Sequence, residues 1–347
     1  MRVTICGAGP AGLGMAACLM SEGHRVTLYD MPDYAARLVP FQGNAGLTCR
    51  GRLEFSGQLY AATGDAEEAL AGAEAVFIVT HAAAHKMLAG LFAGKLREDQ
   101  VVVMCPGYVG GGLEFTQTLR QAGAPAVPPY MEASSLPIIS TMEGKAAVRI
   151  SGWKRNFILY CPEPLRQHAI VSWFQKLYAP LQFTRSPLEP GLNEINFIVH
   201  AVVSLLNVSR VEHGEDWSFY RTGLTPSIIR VIEAIDQERV GLESALGLTP
   251  HRLTDLLWDF YKDQGMSSQG LYTQLSTFEP FGKVRGPLDF EGRFISEDLC
   301  CGLVPMYWLG RQKGLSMETA EMVIRLACAY TGRDYFQTGR IIQEPPL

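Results

Sequence analysis

A glycine-rich motif near the start of the chain has the residue types and spacing of a phosphate-binding turn. It is a GxGxxG sequence composed of Gly7, Ala8, Gly9, Pro10, Ala11 and Gly12. Gly7 permits a tight turn, Gly9 lets the backbone approach a pyrophosphate, and Gly12 lets the next helix pack closely on the strand. The N–H groups and positive dipole end of that helix favour phosphate binding. The motif therefore predicts a dinucleotide site.

A carboxylate at the end of the next predicted strand supports this interpretation. Asp30 lies 18 residues after Gly12, close to the roughly 20 residues expected for an acid that binds the ribose diol. A carboxylate there repels a 2′-phosphate, so NAD is favoured over NADP. Arg37, seven positions further on, is the nearest cation that could compensate.

Two later strands are predicted to end where a nicotinamide would bind. Thr80 ends one of them, and Pro106 and Gly107 follow the other. Ligands of parallel α/β sheets bind at the carboxyl ends of strands. These small or polar residues are therefore candidate cofactor contacts. FAD is the alternative cofactor, because it also binds GxGPAG-type turns. The two later strands continue the pattern of a dehydrogenase, which disfavours FAD.

A polar stripe along an otherwise apolar helix contains His200. At 100° per residue, Asn196, His200 and Asn207 fall on one face of the predicted helix. Because burial of polar groups costs stability unless they find partners, a stripe that faces a cleft explains the pattern. The alternative is a core histidine bonded to a neighbouring carbonyl. A histidine in a cleft suits general acid–base chemistry.

The elements that must position these residues fall into two predicted domains. Short apolar strands alternate with helices in the first half, as in a Rossmann-type parallel sheet, with a strand predicted at Ala126–Pro129. Helical periodicity dominates from Asn193 onward, beginning with a helix at Asn193–Val211. Pro/Gly punctuation marks the boundary. We predict an α/β dinucleotide-binding domain at 1–187, a mostly helical substrate domain at 188–347, and a cleft between them.

The composition excludes several classes of protein. The chain is 47% hydrophobic and 19% charged, which excludes a disordered chain. Its net charge of −5 gives no reason to expect nucleic-acid binding. The apolar runs are too short to span a membrane, and the eight cysteines form no CxxC motif. A cytoplasmic, reducing location is expected.

Beyond these patterns, the sequence resembles the opine dehydrogenases of the octopine/nopaline dehydrogenase superfamily along nearly its whole length. The resemblance is carried by Gly7–Gly12, Tyr130–Pro137, Asn193–Asn207, Phe219–Pro226, Asp236–Arg239, Arg293–Pro305 and Gly339–Arg340. It implies a helical second domain of the 6-phosphogluconate dehydrogenase type. It also implies an NAD(P)-dependent oxidoreductase that acts on CH–NH donors and condenses an amino acid with an α-keto acid.

The resemblance also implies a set of catalytic residues. In this family a His–Asp pair works with an arginine, and the matching positions are His200, Asp298 and Arg293. The carboxylate would hold the imidazole in one tautomer. The guanidinium would bind a substrate carboxylate through its planar fork. For Asp298 the alternative is a carboxylate at a helix N-terminus, and for Arg293 it is a surface cation.

The candidate substrate contacts are less specific. They are Glu132, Ala133, Ser134, Tyr220 and Thr225. The first three follow a predicted strand, and ordinary loop or core roles explain all five equally well. His81 and His85 have a spacing compatible with metal binding, but without a third ligand nearby no metal is predicted.

Two alternative functions remain open. A 2-keto acid reductase of the ketopantoate reductase type shares the layout but uses a lysine on the first helix of the second domain, and no lysine lies between Lys176 and Lys262. The other alternative is a non-catalytic NAD-sensing protein. Helical second domains of this kind often dimerise, so a homodimer is an open alternative to a monomer.

Overall fold

In the part of the chain that the structure describes, every strand precedes residue 185. The computed structural model describes residues 1–43, 46–155, 157–178 and 180–342. The strands are β1 (Arg2–Cys6), β2 (Arg25–Tyr29), β3 (Gly46–Gly51), β4 (Phe55–Gln58), β5 (Ala61–Thr63), β6 (Ala75–Ile78), β7 (Val101–Met104), β8 (Tyr130–Ala133), β9 (Ile138–Gly144), β10 (Ala147–Trp153), β11 (Phe157–Tyr160) and β12 (Leu181–Thr184).

Eight strands form the main sheet, in the order β12-β11-β8-β7-β6-β1-β2-β5. Neighbours are parallel except β8 and β11, which are antiparallel. Successive residues of its central strands belong to different apolar cores, as Ile5 and Cys6 do, because a parallel sheet is covered on both faces. The strand order reverses beside β1, and ligands of such sheets bind at that switch point.

A smaller sheet has the order β4-β3-β10-β9. Its strands β9 and β10 pack on the first helix of the chain. Gly14 permits this approach, because a Cβ there would lie 2.5 Å from Cδ1 of Ile138.

The helices become dominant after the last strand. They are α1 (Pro10–Ser21), α2 (Ala66–Leu70), α3 (His85–Phe92), α4 (Gly111–Gln121), α5 (Ala169–Tyr178), α6 (Glu189–Leu192), α7 (Asn196–Leu206), α8 (Val208–Glu212), α9 (Pro226–Ala245), α10 (Leu253–Tyr261), α11 (Leu271–Thr277), α12 (Arg293–Ser296), α13 (Val304–Gln312), α14 (Glu318–Thr331) and α15 (Tyr335–Thr338). A π-helical segment, Leu299–Leu303, precedes α13.

The chain divides into two units. The first unit comprises Met1–Gly107 and Gly111–Pro190, and the second comprises Tyr108–Gly110 and the chain from Gly191 onward. Of the predicted second domain, residues 343–347 lie outside the described part of the chain. The parallel sheet of the first unit and the helices of the second confirm the predicted fold class.

Helix α7 lies in the interior of the second unit, packed against α9, α12 and α14. Arg239 is fully buried. Its Nη1 donates to the carbonyl of Leu192 at 3.2 Å and so holds the chain just before α7. Its guanidinium also pairs with Asp236 and Glu243, both at 2.7 Å. Such a buried ion group persists only when its charges are paired and hydrogen-bonded, so Asp236–Arg239 has a structural role.

Two predicted elements are wrong in their positions. The strand expected at Ala126–Pro129 lies at β8 instead, because Pro128 and Pro129 have no N–H to donate to a sheet. The helix expected at Asn193–Val211 is divided into α7 and α8 at Asn207. None of the described helices is both long and apolar enough to cross a bilayer.

Candidate active site

The glycine motif forms the turn between β1 and α1. Gly7 has φ +113°, and a Cβ there would lie 2.7 Å from the carbonyl oxygen of Val79. A Cβ on Gly12 would lie only 1.7 Å from the Gly7 carbonyl oxygen, so helix and strand are in close contact. At Gly9 a Cβ would meet no described atom within 4 Å. Gly7 and Gly12 thus allow the turn to close, and Gly9 leaves open space beside it.

The donors and acceptors around this turn fit a dinucleotide. In the described part of the chain, no side chain caps the N-terminus of α1, which begins with Pro10 and Ala11. Pro10 has no N–H, so the N–H groups that follow it in the first turn are the ones available to an anion. Ala8 is buried in the turn itself. The hydroxyl oxygen of Thr80 is buried close to Gly7, without a hydrogen-bond partner among the described residues. A buried polar atom of this kind fits a ligand group that supplies the missing bond.

Asp30 directly follows β2 and is only 2% exposed. Its carboxylate accepts hydrogen bonds from the backbone N–H of Ala8 at 3.0 Å and of Met31 at 2.9 Å, so it also holds the glycine turn. Arg37 has a half-exposed side chain, and its Nη1 lies 3.6 Å from Oδ2 of Asp30. The cation that the sequence places seven positions away is therefore adjacent in space.

The loop after β7 is shaped by a buried carboxylate. Glu132 is fully buried, and its Oε2 accepts a hydrogen bond from the N–H of Gly112 at 2.8 Å, at the start of α4. Gly107, which follows Pro106, lies so close that a Cβ would be 2.2 Å from the carboxyl carbon. Glu132 thus fixes the loop that carries two candidate cofactor contacts.

The remaining candidate substrate contacts of the first unit have partners inside it. Ala133 is fully buried in β8 rather than placed on a loop. The Ser134 hydroxyl accepts from the N–H of Ile158 at 3.0 Å and so continues the sheet. In the second unit, Thr225 caps α9 by accepting from the N–H of Ile228 at 3.3 Å. Within its own unit, each of these three residues therefore has a local structural role.

The residues of the expected polar stripe are only partly exposed: His200 is buried in α7, and Asn196 and Asn207 are half-buried. Asn207 donates to the carbonyls of Val203 at 2.8 Å and of Gly223 at 2.9 Å. The Ser204 hydroxyl donates to the carbonyl of His200 at 2.7 Å. Local partners therefore account for Asn207 and Ser204, while the side chain of His200 is 9% exposed and bonds to other side chains.

Both ring nitrogens of His200 are engaged. Nδ1 lies 3.0 Å from Oδ2 of Asp298, which is fully buried. Nε2 lies 3.0 Å from the hydroxyl of Tyr220. Because a carboxylate accepts, the proton of a neutral imidazole is assigned to Nδ1. Burial, reinforced by Tyr261 and Asp298, raises the pKa of Tyr220, so its hydroxyl donates to Nε2.

Arg293, the first residue of α12, lies beside this pair. Its side chain is 49% exposed, with Nε 3.5 Å from Oε2 of Glu297 and Nη2 3.4 Å from the Tyr108 hydroxyl. Burial by itself would lower the pKa of Arg293, but Tyr108, Glu297 and Asp298 outweigh it and raise that pKa. A charged guanidinium with half of its side chain in solvent is available to a carboxylate ligand.

Aromatic rings fix the plane of the imidazole. Phe294 packs on His200 with ring centroids 4.3 Å apart, and Phe219 meets it edge-on at 5.4 Å. Phe281 stacks on Tyr220 at 4.6 Å. Sequence reasoning missed these rings, although Phe219 and Phe294 adjoin predicted site residues.

Two polar residues of the cluster were missed as well. Tyr108 lies in the glycine-rich loop 106–112, which the sequence predicts to face the keto acid or the nicotinamide without marking the tyrosine itself. Glu297 stands beside the predicted Asp298. The Tyr108 hydroxyl lies 3.1 Å from Oε2 of Glu297 and 3.2 Å from Oδ1 of Asp298. The structure thus brings His200, Asp298 and Tyr220 into direct contact, and Arg293 joins them through Tyr108.

Comparisons with known sequences identify similar proteins. Residues 184–331 match the family described as NAD/NADP octopine/nopaline dehydrogenase, alpha-helical domain. An opine dehydrogenase of Arthrobacter sp. (strain 1C) is 26% identical over 342 residues, which cover 98% of this chain and 93% of that protein.

Solved structures share the fold. An octopine dehydrogenase in complex with NADH and agmatine has a TM-score of 0.81 at 18% identity, covering 96% of this chain and 90% of that chain. A yersinopine dehydrogenase with bound NADP+ has a TM-score of 0.76 at 17% identity, covering 97% of this chain and 90% of that chain.

Proposed function

We propose that this chain, whose residues 184–331 match the helical domain of the octopine/nopaline dehydrogenases, catalyses the NAD(P)H-dependent reductive condensation of an amino acid with an α-keto acid, and the reverse reaction. The product is a secondary amine that carries two carboxylates, so the enzyme acts on CH–NH donors. The contact of His200 with Asp298 at 3.0 Å carries this proposal, because the condensation needs a group that both accepts and donates protons.

In this proposal, residues 1–187 form the coenzyme domain. Bound NADH supplies the hydride. The coenzyme contacts are the motif from Gly7 to Gly12, together with Asp30, Thr80, Pro106 and Gly107. The open space at Gly9 and the unpartnered hydroxyl of Thr80 support this assignment.

Residues 188–347 form the substrate domain, where Arg293 binds the carboxylate of the keto acid. Its fork geometry makes two parallel hydrogen bonds to a carboxylate, and its half-exposed side chain supports this role. One substrate carboxylate is thereby held beside the His200–Asp298 pair. Tyr220, whose hydroxyl lies at Nε2 of His200, contacts the reacting substrate there.

His200 carries the protons of the condensation. The Tyr220 oxygen takes a proton from the substrate ammonium as the Tyr220 hydroxyl proton passes to Nε2 of His200, which frees the amine to attack the keto carbon. That proton returns by the same route to the former keto oxygen, and a second proton then passes from the attached nitrogen to the same oxygen. The oxygen leaves as water, which gives the iminium. Asp298 keeps the other proton of the ring on Nδ1 and stabilises the imidazolium between the two steps. After hydride transfer, the new amine is protonated from solvent.

The proposal is tested by NADH oxidation with a panel of amino acids, each combined with pyruvate, glyoxylate, oxaloacetate or 2-oxoglutarate. Oxidation is expected only when amine and keto acid are both present. Equal oxidation by a keto acid alone would favour a 2-hydroxy acid dehydrogenase. Tight NADH binding without turnover for any pair would favour a non-catalytic sensor.

Coenzyme selectivity is expected to depend on Asp30 and Arg37. Replacing Asp30 with asparagine removes the charge that opposes a 2′-phosphate, so the ratio of kcat/KM for NADH to that for NADPH is expected to fall by about tenfold. Replacing Arg37 with alanine removes a cation 3.6 Å from Asp30 and is expected to raise that ratio. Steady-state kinetics with both coenzymes measure it.

The matched control is Arg97→Ala, since Arg97 forms an exposed pair with Asp99 in the same unit. This variant is expected to retain the wild-type ratio. If Asp30→Asn and Arg37→Ala also retain it, neither residue lies at the ribose.

A further inference from the structure

A three-residue segment after β7 is built into the second unit. This Tyr108–Gly110 segment is separated from the rest of its loop, which belongs to the first unit. The Val109 N–H donates to the carbonyl of Cys301 at 3.1 Å, and Nη1 of Arg340 donates to the Val109 carbonyl at 3.1 Å. Hydrogen bonds on both sides of Val109 therefore fix the segment within the second unit.

Close backbone packing holds the same segment from another side. A Cβ on Gly191 would lie 2.0 Å from the carbonyl oxygen of Tyr108, so only glycine permits this contact. Tyr108 itself has φ 58°, in the left-handed region that an aromatic residue rarely adopts. Such strain persists where the surrounding structure over-determines it, and it clusters at functional sites.

The strained residue presents one hydroxyl to three side chains of the candidate site. It lies 3.1 Å from Oε2 of Glu297, 3.2 Å from Oδ1 of Asp298 and 3.4 Å from Nη2 of Arg293. The arginine can only donate, so the Tyr108 oxygen accepts from it. The Tyr108 proton is then shared between the two carboxylates.

Burial raises the pKa of Tyr108, and the neighbouring Asp298 and Glu297 raise it further. The hydroxyl therefore stays protonated and remains a donor. The two oxygens of the buried Asp298 thus have different partners, His200 at Oδ2 and Tyr108 at Oδ1. A carboxylate held at both oxygens cannot rotate without breaking one of these bonds.

We propose that Tyr108 is a positioning residue for the reaction, which orients Asp298 toward His200 and Arg293 toward the keto acid. This inference rests on the proposed function. The Tyr108 hydroxyl acts through these groups and does not touch the substrate. The proton of the Tyr108 hydroxyl also lies between the carboxylates of Glu297 and Asp298. It therefore reduces the electrostatic repulsion between these two carboxylates.

The test is Tyr108→Phe, which keeps the ring and removes only the hydroxyl. We expect kcat/KM for the keto acid to fall by about 10- to 100-fold, through both a lower kcat and a higher KM. Without its donor at Oδ1, Asp298 becomes a stronger acceptor for the imidazolium. The limb of the pH–rate profile that reports protonation of the His200–Asp298 pair is therefore expected to move to higher pH. The Kd for NADH is expected to be unchanged.

The matched control is Tyr335→Phe, because Tyr335 is buried to a similar extent in the second unit, on α15. It is expected to keep the wild-type kinetics and pH profile. A Tyr108→Phe enzyme with a lower melting temperature but an unshifted pH profile and wild-type KM would overturn the proposal, since that is the result of a merely structural hydroxyl.

A second variant covers the case in which Tyr108→Phe does not fold. Arg340→Met removes the donor to Val109 and loosens the segment, so it is expected to lower kcat/KM for the keto acid and to shift the pH profile in the same direction. An unchanged profile there would also overturn the proposal. Wild-type protein without turnover refutes the proposed function, whereas active wild type with an equally active Tyr108→Phe refutes only the role of Tyr108.

Discussion

Replacing His200 with asparagine is expected to lower kcat by about 10²- to 10⁴-fold and to leave the Kd for NADH unchanged. The asparagine amide still donates a hydrogen bond toward Asp298, so the buried carboxylate keeps a partner. The amide cannot exchange protons near neutral pH, so transfer from the ammonium and to the leaving oxygen loses its carrier. Steady-state NADH oxidation gives kcat, and quenching of NADH fluorescence gives Kd.

The control for this change is His213→Asn, because His213 lies exposed at the end of α8 and bonds to the Ser209 carbonyl within the same helix. It is expected to leave kcat unaltered. A kcat within about twofold of wild type for His200→Asn would remove His200 from the mechanism, since loss of a general acid–base costs far more than that.

The second large effect is expected for Arg293→Lys. Lysine keeps the positive charge but loses the planar fork that makes two parallel bonds to a carboxylate. We therefore expect the KM for the keto acid to rise by about 10- to 100-fold. The KM for NADH is expected to stay near the wild-type value. Initial-rate measurements with keto acid and NADH varied separately distinguish the two.

Arg333→Lys is the matched control. The side chain of Arg333 is 50% exposed, much like the 49% of Arg293, and it contacts both carboxylate oxygens of Glu291 on the surface. Its substitution is expected to leave both constants unchanged. An Arg293→Lys enzyme altered only in its KM for NADH would assign the guanidinium to the coenzyme instead.

The sequence carries the information for the fold class because its signals are local. The spacing of Gly7, Gly9 and Gly12 depends on one turn, and strand–helix alternation depends on short apolar runs. The strand predicted at Ala126–Pro129 failed because apolar character alone does not reveal whether backbone donors are present. Pro128 and Pro129 lack those donors, and the strand therefore begins at Tyr130.

The site is harder to predict because it depends on tertiary contacts. His200 stands out by its position on an apolar helix, but Asp298 is 98 positions away and faces it only because α7 packs on the π-helical segment. Asn207 was grouped with His200 by helical phase, whereas in the structure it bonds to the carbonyls of Val203 and Gly223. Periodicity predicts a shared face but not the partners on it.

Tyr108 illustrates a different limit. Its left-handed backbone and its hydroxyl between two carboxylates depend on how Gly191 and Arg340 enclose the segment. A tyrosine within a glycine-rich loop carries no such signal in sequence. The sequence predicts Glu132 as a ligand contact from its position near a strand end, but it gives no sign of the hydrogen bond that its carboxylate accepts from the N–H of Gly112.

The most direct test of reductive condensation follows the hydride itself. NADH deuterated at the transferring C4 position is incubated with the enzyme, pyruvate and a panel of amino acids, and the products are analysed by mass spectrometry. We predict a secondary amine with the composition of both substrates less one water, plus one hydrogen and one deuterium, with the deuterium on the former keto carbon. Deuterium found instead in lactate, or no labelled product from any pair despite NADH binding, would contradict the account.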